Sequence, residues 1–248
     1  MLSGLGKLTW LEIKIFMREP LGVIGSIVIP TVLFLALGRI VGGRTLRSNR
    51  LTDFVTVGLP VFVSVMIAIS TALSLITIMA IYREGGILKR LRATPLRPHT
   101  ILAAHVAVKL FMTVVTLLIV MAVGSRYYPV AFNARLVSFA AALLFGTMSI
   151  LAMGFLIASL APSGRFAQPL GSIILYPMLG LSGLFVPVEE MPARMQAIAS
   201  VLPLTYAVSL LRGAWIGEPW SAHLSDVAAL TLVFVICSVL SARLFRWQ

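Results

Sequence analysis

Six stretches of this chain are nearly free of charge for long enough to cross a lipid bilayer, and that pattern restricts the fold more than any other feature. At 1.5 Å of rise per helical residue, about 20 consecutive apolar residues cover a hydrocarbon core of about 30 Å. The runs occupy residues 20–38, 54–82, 98–125, 136–164, 166–188 and 225–244. The third is interrupted only by Lys109. The last, charge-free from 227 to 242, needs its ends to extend or snorkel. The expected fold is therefore all-α and polytopic, with six transmembrane helices in a single domain spanning residues 1–248.

Composition closes off the soluble alternative. The 248 residues are 59% hydrophobic and 11% charged, against about 25% charged and 45–50% apolar in a typical soluble domain. A single water-soluble core stops growing near about 250 residues, so this much apolar surface needs lipid as a second solvent. The net charge of +12 would raise the question of nucleic acid in a soluble protein. Here the basic residues sit in the gaps between apolar runs, where they act as orientation signals and contacts to anionic lipid. No nucleic-acid partner is expected. The single cysteine, Cys237, lies within the last run and reads as a small buried residue, not half of a disulfide.

An even number of spans places both termini on one side, and more of the basic residues fall on that side, which makes it the cytoplasm. The expected location is the inner cell membrane, crossed several times. Arg39, Arg44, Arg47 and Arg50, after the first span, are the main counterweight to this orientation. The leader, residues 1–19, reads as an interfacial helix: Lys7, Lys14 and Arg18 share a stripe beside Leu8, Leu11, Ile15 and Phe16, and Trp10 suits the headgroup boundary. An ordinary cytoplasmic extension of the first span is the equal alternative, with Pro20 breaking the axis. The first run is too long for the apolar core of a signal peptide and is retained as a span. A seventh uncharged run, 195–211, contains Gln196, Ser200, Thr205 and Ser209 and is broken at Pro203. It reads as part of a re-entrant or external pair of helices within 189–212.

Several chemical readings fail on context. Gly38 to Thr45 nearly spells a phosphate-binding loop, with Arg44 where lysine belongs, but a span precedes it and a charged loop follows. Such a loop needs a buried strand before it and a helix after it. Hence this chain is expected to bind no cofactor and no metal, and to have no catalytic residues. His99, His105 and His223 are scattered near span ends, each more simply an interfacial polar residue than a ligand or base. No acid lies in the middle of a span, which weighs against an ion-coupled carrier or channel, and no catalytic cluster supports a membrane enzyme. Lys109 either lines a cavity or snorkels toward the cytoplasm, and snorkelling is the expectation.

The most informative segment lies between the second and third spans. After the Gly85-Gly86 break, Ile87, Leu88 and Leu91 form an apolar edge, Lys89, Arg90 and Arg92 stay solvated, and Thr94-Pro95 ends the turn. This is a short amphipathic cytoplasmic helix over residues 83–97. It resembles the coupling helix of ABC-2 type transporter membrane subunits, whose Glu-x-Gly-x-Leu-x-x-Leu-x-x-Thr/Ser-Pro-Leu pattern is met by Glu84, Gly86, Leu88, Leu91, Thr94, Pro95 and Leu96. Arg83 and Arg90 flank these positions, and Lys89 stands where many relatives carry an acid. A second block, Ser182 to Pro187, Met191-Pro192, Leu202 to Tyr206 and Leu211-Arg212, resembles the family's segment between spans five and six. There Met191 replaces a common leucine and Ser209 a common acid. The segment is either a packed external cap or an exit gate.

The resemblance implies a permease that works as a dimer of two copies in membrane lipid. Two copies of an ABC ATP-binding subunit would drive it, and ATP and Mg²⁺ would reside in those partners. The coupling helix would dock in a groove of the ATPase. The resemblance is to the drug-, antibiotic- and lipid-export branches, with polysaccharide or glycolipid export as the neighbouring alternative. Tyr176, Pro177, Phe185 and Tyr206 are the candidate pathway residues, because aromatics and helix breaks line cavities.

Overall fold

The computed structural model describes residues 24–42, 59–84, 98–127, 136–161 and 163–244, together with the isolated positions Trp10, Ile13, Lys14 and Arg18. Among the described residues every regular element is helical. The four isolated positions are helical, with Trp10, Lys14 and Arg18 exposed. The rest of the expected interfacial helix lies outside the described residues.

The first element is α1, Ile29–Gly42, entered through a π-helical turn at Ile24–Val28. Pro30 has no N–H to offer the preceding turn, and the backbone is wider than an α-helix immediately before it. α2, Leu59–Glu84, is apolar on all sides, and such a helix belongs inside a bundle. Residues Val61, Val63, Val65, Ile67, Ile69, Leu75 and Ile76 are all buried, and α2 touches five other helices. α3 is Pro98–Tyr127, α4 is Leu136–Leu160 and α5 is Gly164–Gly180.

Glycines bring α4 and α5 against α2 at one level. A Cβ on Gly154 of α4 would lie 3.4 Å from Ile76 Cγ1 and 3.5 Å from the Ala72 carbonyl. One on Gly171 of α5 would lie 2.8 Å from Ile76 Cδ1 and 3.0 Å from Leu73 Cδ2. In lipid, where the hydrophobic effect does not drive helices together, such close approach supplies the dispersion contacts that do.

The chain then forms a connection of short pieces. Gly183 takes φ +80°, a left-handed conformation, and is followed by Pro187 and a 3₁₀ turn at Val188–Glu190. Two helices follow, α6 (Ala193–Ala199) and α7 (Pro203–Ile216), bent by 84° at the break that Pro203 closes. The Gln196 amide donates to the Glu189 and Met191 carbonyls at 3.1 and 2.9 Å, tying α6 to the 3₁₀ turn. α7 packs into the bundle against α4, α5 and α2, with Gly146 of α4 beside Ala207. A second 3₁₀ turn, Trp220–His223, leads into α8, Leu224–Leu244.

α8 buries only Asp226, Leu230, Cys237 and Ser241, positions within about 60° of arc at 100° per residue. That stripe faces α4, where the Ser149 hydroxyl donates to the Leu230 carbonyl at 3.0 Å. Leu232, Val235, Ile236, Val239 and Leu240 face outward. A surface this apolar is at home only against lipid or another protein.

Among the described residues four helices, α2, α3, α4 and α8, are long and apolar enough to cross a membrane, and the bent α6–α7 pair makes a fifth if counted as one span. The chain is thus a multi-pass membrane protein. Helices also overlap the other two expected spans, 20–38 and 166–188, but α1, Ile29–Gly42, has 14 residues and α5, Gly164–Gly180, has 17. The expected fifth span, 166–188, stops at Gly180 because the segment leading to Pro187 turns through the left-handed Gly183.

Candidate functional site

The expected coupling residues divide at the end of α2. Arg83 and Glu84 form its last turn, whereas Gly86, Leu88, Arg90, Leu91, Thr94, Pro95 and Leu96 lie outside the described residues. The two helices that carry this segment are described, and they are joined by polar side chains. The Lys109 ammonium on α3 donates to Ser74 Oγ on α2 at 2.7 Å. One turn further along, Thr113 donates to the Lys109 carbonyl at 2.9 Å and lies 3.4 Å from Thr71 Oγ1. Lys109 is therefore buried across the α2–α3 contact and does not snorkel, because Ser74 offers an acceptor within the bundle. His105, one turn before it, is also buried.

The Lys109–Ser74 bond gives a stability prediction. Ser74→Ala removes an acceptor from a buried ammonium and is expected to cost about 1–2 kcal/mol. Lys109→Met keeps the chain length and removes the charge, so it should be nearly neutral. Chemical unfolding of the two variants in detergent micelles checks the contrast.

The four expected pathway residues stand in different surroundings. Tyr176 and Pro177 are exposed on α5. Phe185 is half exposed and packs its ring on Phe62 of α2, with centroids 5.6 Å apart. Tyr206 lines a cavity of about 430 Å³ bounded by the 182–189 segment, α7 and the start of α8. Its phenol donates to the Ser200 carbonyl.

The cavity wall holds a group of residues that sequence reading did not assemble. Asp226 accepts from the Ser209 hydroxyl at 2.7 Å, and its same oxygen lies 2.8 Å from His223 Nδ1. On the other side of the ring, Nε2 lies 2.8 Å from Glu218 Oε2. The backbone sets up this arrangement. Gly217, at φ +94°, ends α7 in the left-handed region that glycine tolerates, and the N–H of Glu218 returns to the Gly213 carbonyl at 2.8 Å. Gly213 also makes room for the ring, since a Cβ there would fall 1.9 Å from His223 Nε2. His223 stands in the 3₁₀ turn that opens the apolar span Trp220–Leu244. The available signal was the spacing: His223 and Asp226 are three apart at a helix start, and Glu218 is five residues earlier.

Comparison with known proteins agrees with this architecture. The family model described as ABC-2 type transporter matches residues 4–216. Nodulation protein J of Rhizobium leguminosarum bv. viciae is 29% identical over 99 residues, 40% of this chain and 38% of that protein. The protein of the same name from Neorhizobium galegae is 32% identical over the same shares. A probable multidrug ABC transporter permease, YbhR of Escherichia coli K12, is 26% identical over 136 residues, 55% of this chain and 37% of that one. The chain thus spans less than two fifths of the length of these relatives.

Proposed function

The chain belongs to the ABC-2 type transporter family, and from that premise we propose that it is the permease subunit of an ATP-driven exporter. The observation that carries the proposal is the family match across residues 4–216, which includes the Glu84 to Leu96 pattern between α2 and α3. On this reading six spans, α1 to α5 and α8, cross the inner membrane with both termini in the cytoplasm, and the α6–α7 pair enters the outer leaflet. Two copies form the pathway, and the outward apolar face of α8 meets lipid or the second copy. ATP and Mg²⁺ are handled by two ABC ATP-binding subunits. The cargo is a drug, antibiotic, lipid or other amphipathic molecule, a reading supported by the likeness to a probable multidrug permease.

In the proposed mechanism, nucleotide binding closes the ATPase subunits, and the 83–97 helix turns that closure into tilting of α2 and α3. The Lys109–Ser74 bond makes these two helices one lever. Lys109→Met should therefore lower transport per ATP hydrolysed while leaving assembly intact. The function is tested in proteoliposomes holding the chain with its ABC ATP-binding subunit and a chemically diverse panel of amphipathic cargoes. ATP-dependent movement of one cargo class, lost with a hydrolysis-dead ATPase, is the expected result. Equal movement without the ATPase subunit would sink the proposal.

A further inference from the structure

The side chains of Ser209, Asp226, His223 and Glu218 form a continuous chain from α7, across the start of α8, to the turn that joins them. Each ring nitrogen of His223 meets a carboxylate oxygen at 2.8 Å. A neutral imidazole carries one N–H and can donate to only one carboxylate, whereas the imidazolium donates to both. The full arrangement therefore requires the proton. The side chain of His223 is 12% exposed and that of Asp226 is 10% exposed, while Glu218 is 51% exposed, so solvent reaches the group from the Glu218 side.

We propose that this group is a proton-dependent lock between the end of α7 and the start of the last span: loss of the His223 proton breaks one of its two ring–carboxylate bonds and loosens the contact, which the Ser209–Asp226 bond and the remaining ring bond then hold more weakly. The lock borders the 430 Å³ cavity, so its release alters the wall of that space. Arg212 of α7 and Glu189 of the first 3₁₀ turn face the same cavity, with the Tyr206 phenol, and complete the charged and titratable surroundings. Two independent features of the backbone fit this role: Gly213 leaves the notch in which the ring sits, and Gly217 delivers Glu218 to it. The consequence for export rests on the proposed function, but the lock itself does not, and its test reads conformation alone.

Spin labels at Ile216→Cys and Leu224→Cys, in a Cys237→Ser background, report the separation of α7 from α8 in nanodiscs. The lock is complete while both ring nitrogens carry protons, and it loses one ring–carboxylate bond once rising pH removes one of them. The ratio of open to closed distances should rise roughly tenfold between about pH 6 and pH 9, the loss of one charge-assisted hydrogen bond. His223→Gln should be open-biased and insensitive to pH over that range. Gly213→Ala is a second variant that removes no titratable group: its methyl evicts the ring, and it should behave like His223→Gln. A distance distribution that stays constant with pH in the parent chain, or that moves equally in His223→Gln, would overturn the proposal.

Discussion

Combining Glu84→Ala with Leu91→Asp is expected to abolish productive coupling while leaving the helical bundle assembled. Both positions belong to the pattern of the segment between α2 and α3. On the proposed reading, an aspartate in place of an apolar anchor would put a charge into the docking groove of the ATP-binding subunit, and loss of a central anchor costs about 2 kcal/mol or more, roughly thirtyfold in affinity. ATP-dependent transport should fall at least that far, and stimulation of the ATPase by the permease should fall with it. Thermal unfolding of the permease should be unchanged. Normal ATP hydrolysis and transport in the double variant would show that the segment does not couple the two subunits.

The second large effect is structural. Gly171→Leu places a branched side chain where even a Cβ would lie 2.8 Å from Ile76 Cδ1 and 3.0 Å from Leu73 Cδ2. Overpacking of this kind costs about 1–3 kcal/mol, and here it forces α5 away from α2, the helix at the centre of the bundle. Gly180→Leu is the matched control, because nothing lies within 4 Å of a Cβ there. Unfolding in detergent should separate the two variants clearly. Equal stability would mean that α5 does not seat on α2 at Gly171.

The sequence revealed the long helices well, because a span must be continuous in the chain. The run 98–125 corresponds to α3 at Pro98–Tyr127, and 225–244 to α8 at Leu224–Leu244. Hydropathy could not place the end of α5 at Gly180, since the residues Leu181 to Val186 are as apolar as a helix and only the backbone at Gly183 turns them. The re-entrant candidate was visible through Pro203, but its 84° bend was not. Side-chain groups built across helices were the least legible. Lys109 and Ser74 are 35 residues apart, and Ser209 and Asp226 are 17 apart. A linear reading sees Lys109 as a lone charge with a flexible stem and sends it to the interface. It likewise takes His223 for an isolated interfacial residue. Which of these groups meet is decided by helix packing, and that depends on small residues such as Gly213 whose purpose appears only when the facing ring is in place.

The central claim is that the segment after Glu84 meets a separate ATP-binding subunit, and a photo-crosslinking amino acid at Leu91 tests it most directly. In native membranes, illumination should join the permease to an ABC ATP-binding subunit, with a yield that changes between nucleotide-free and ATP-bound states. Crosslinking to lipid alone, in a chain that still transports normally, would contradict the account.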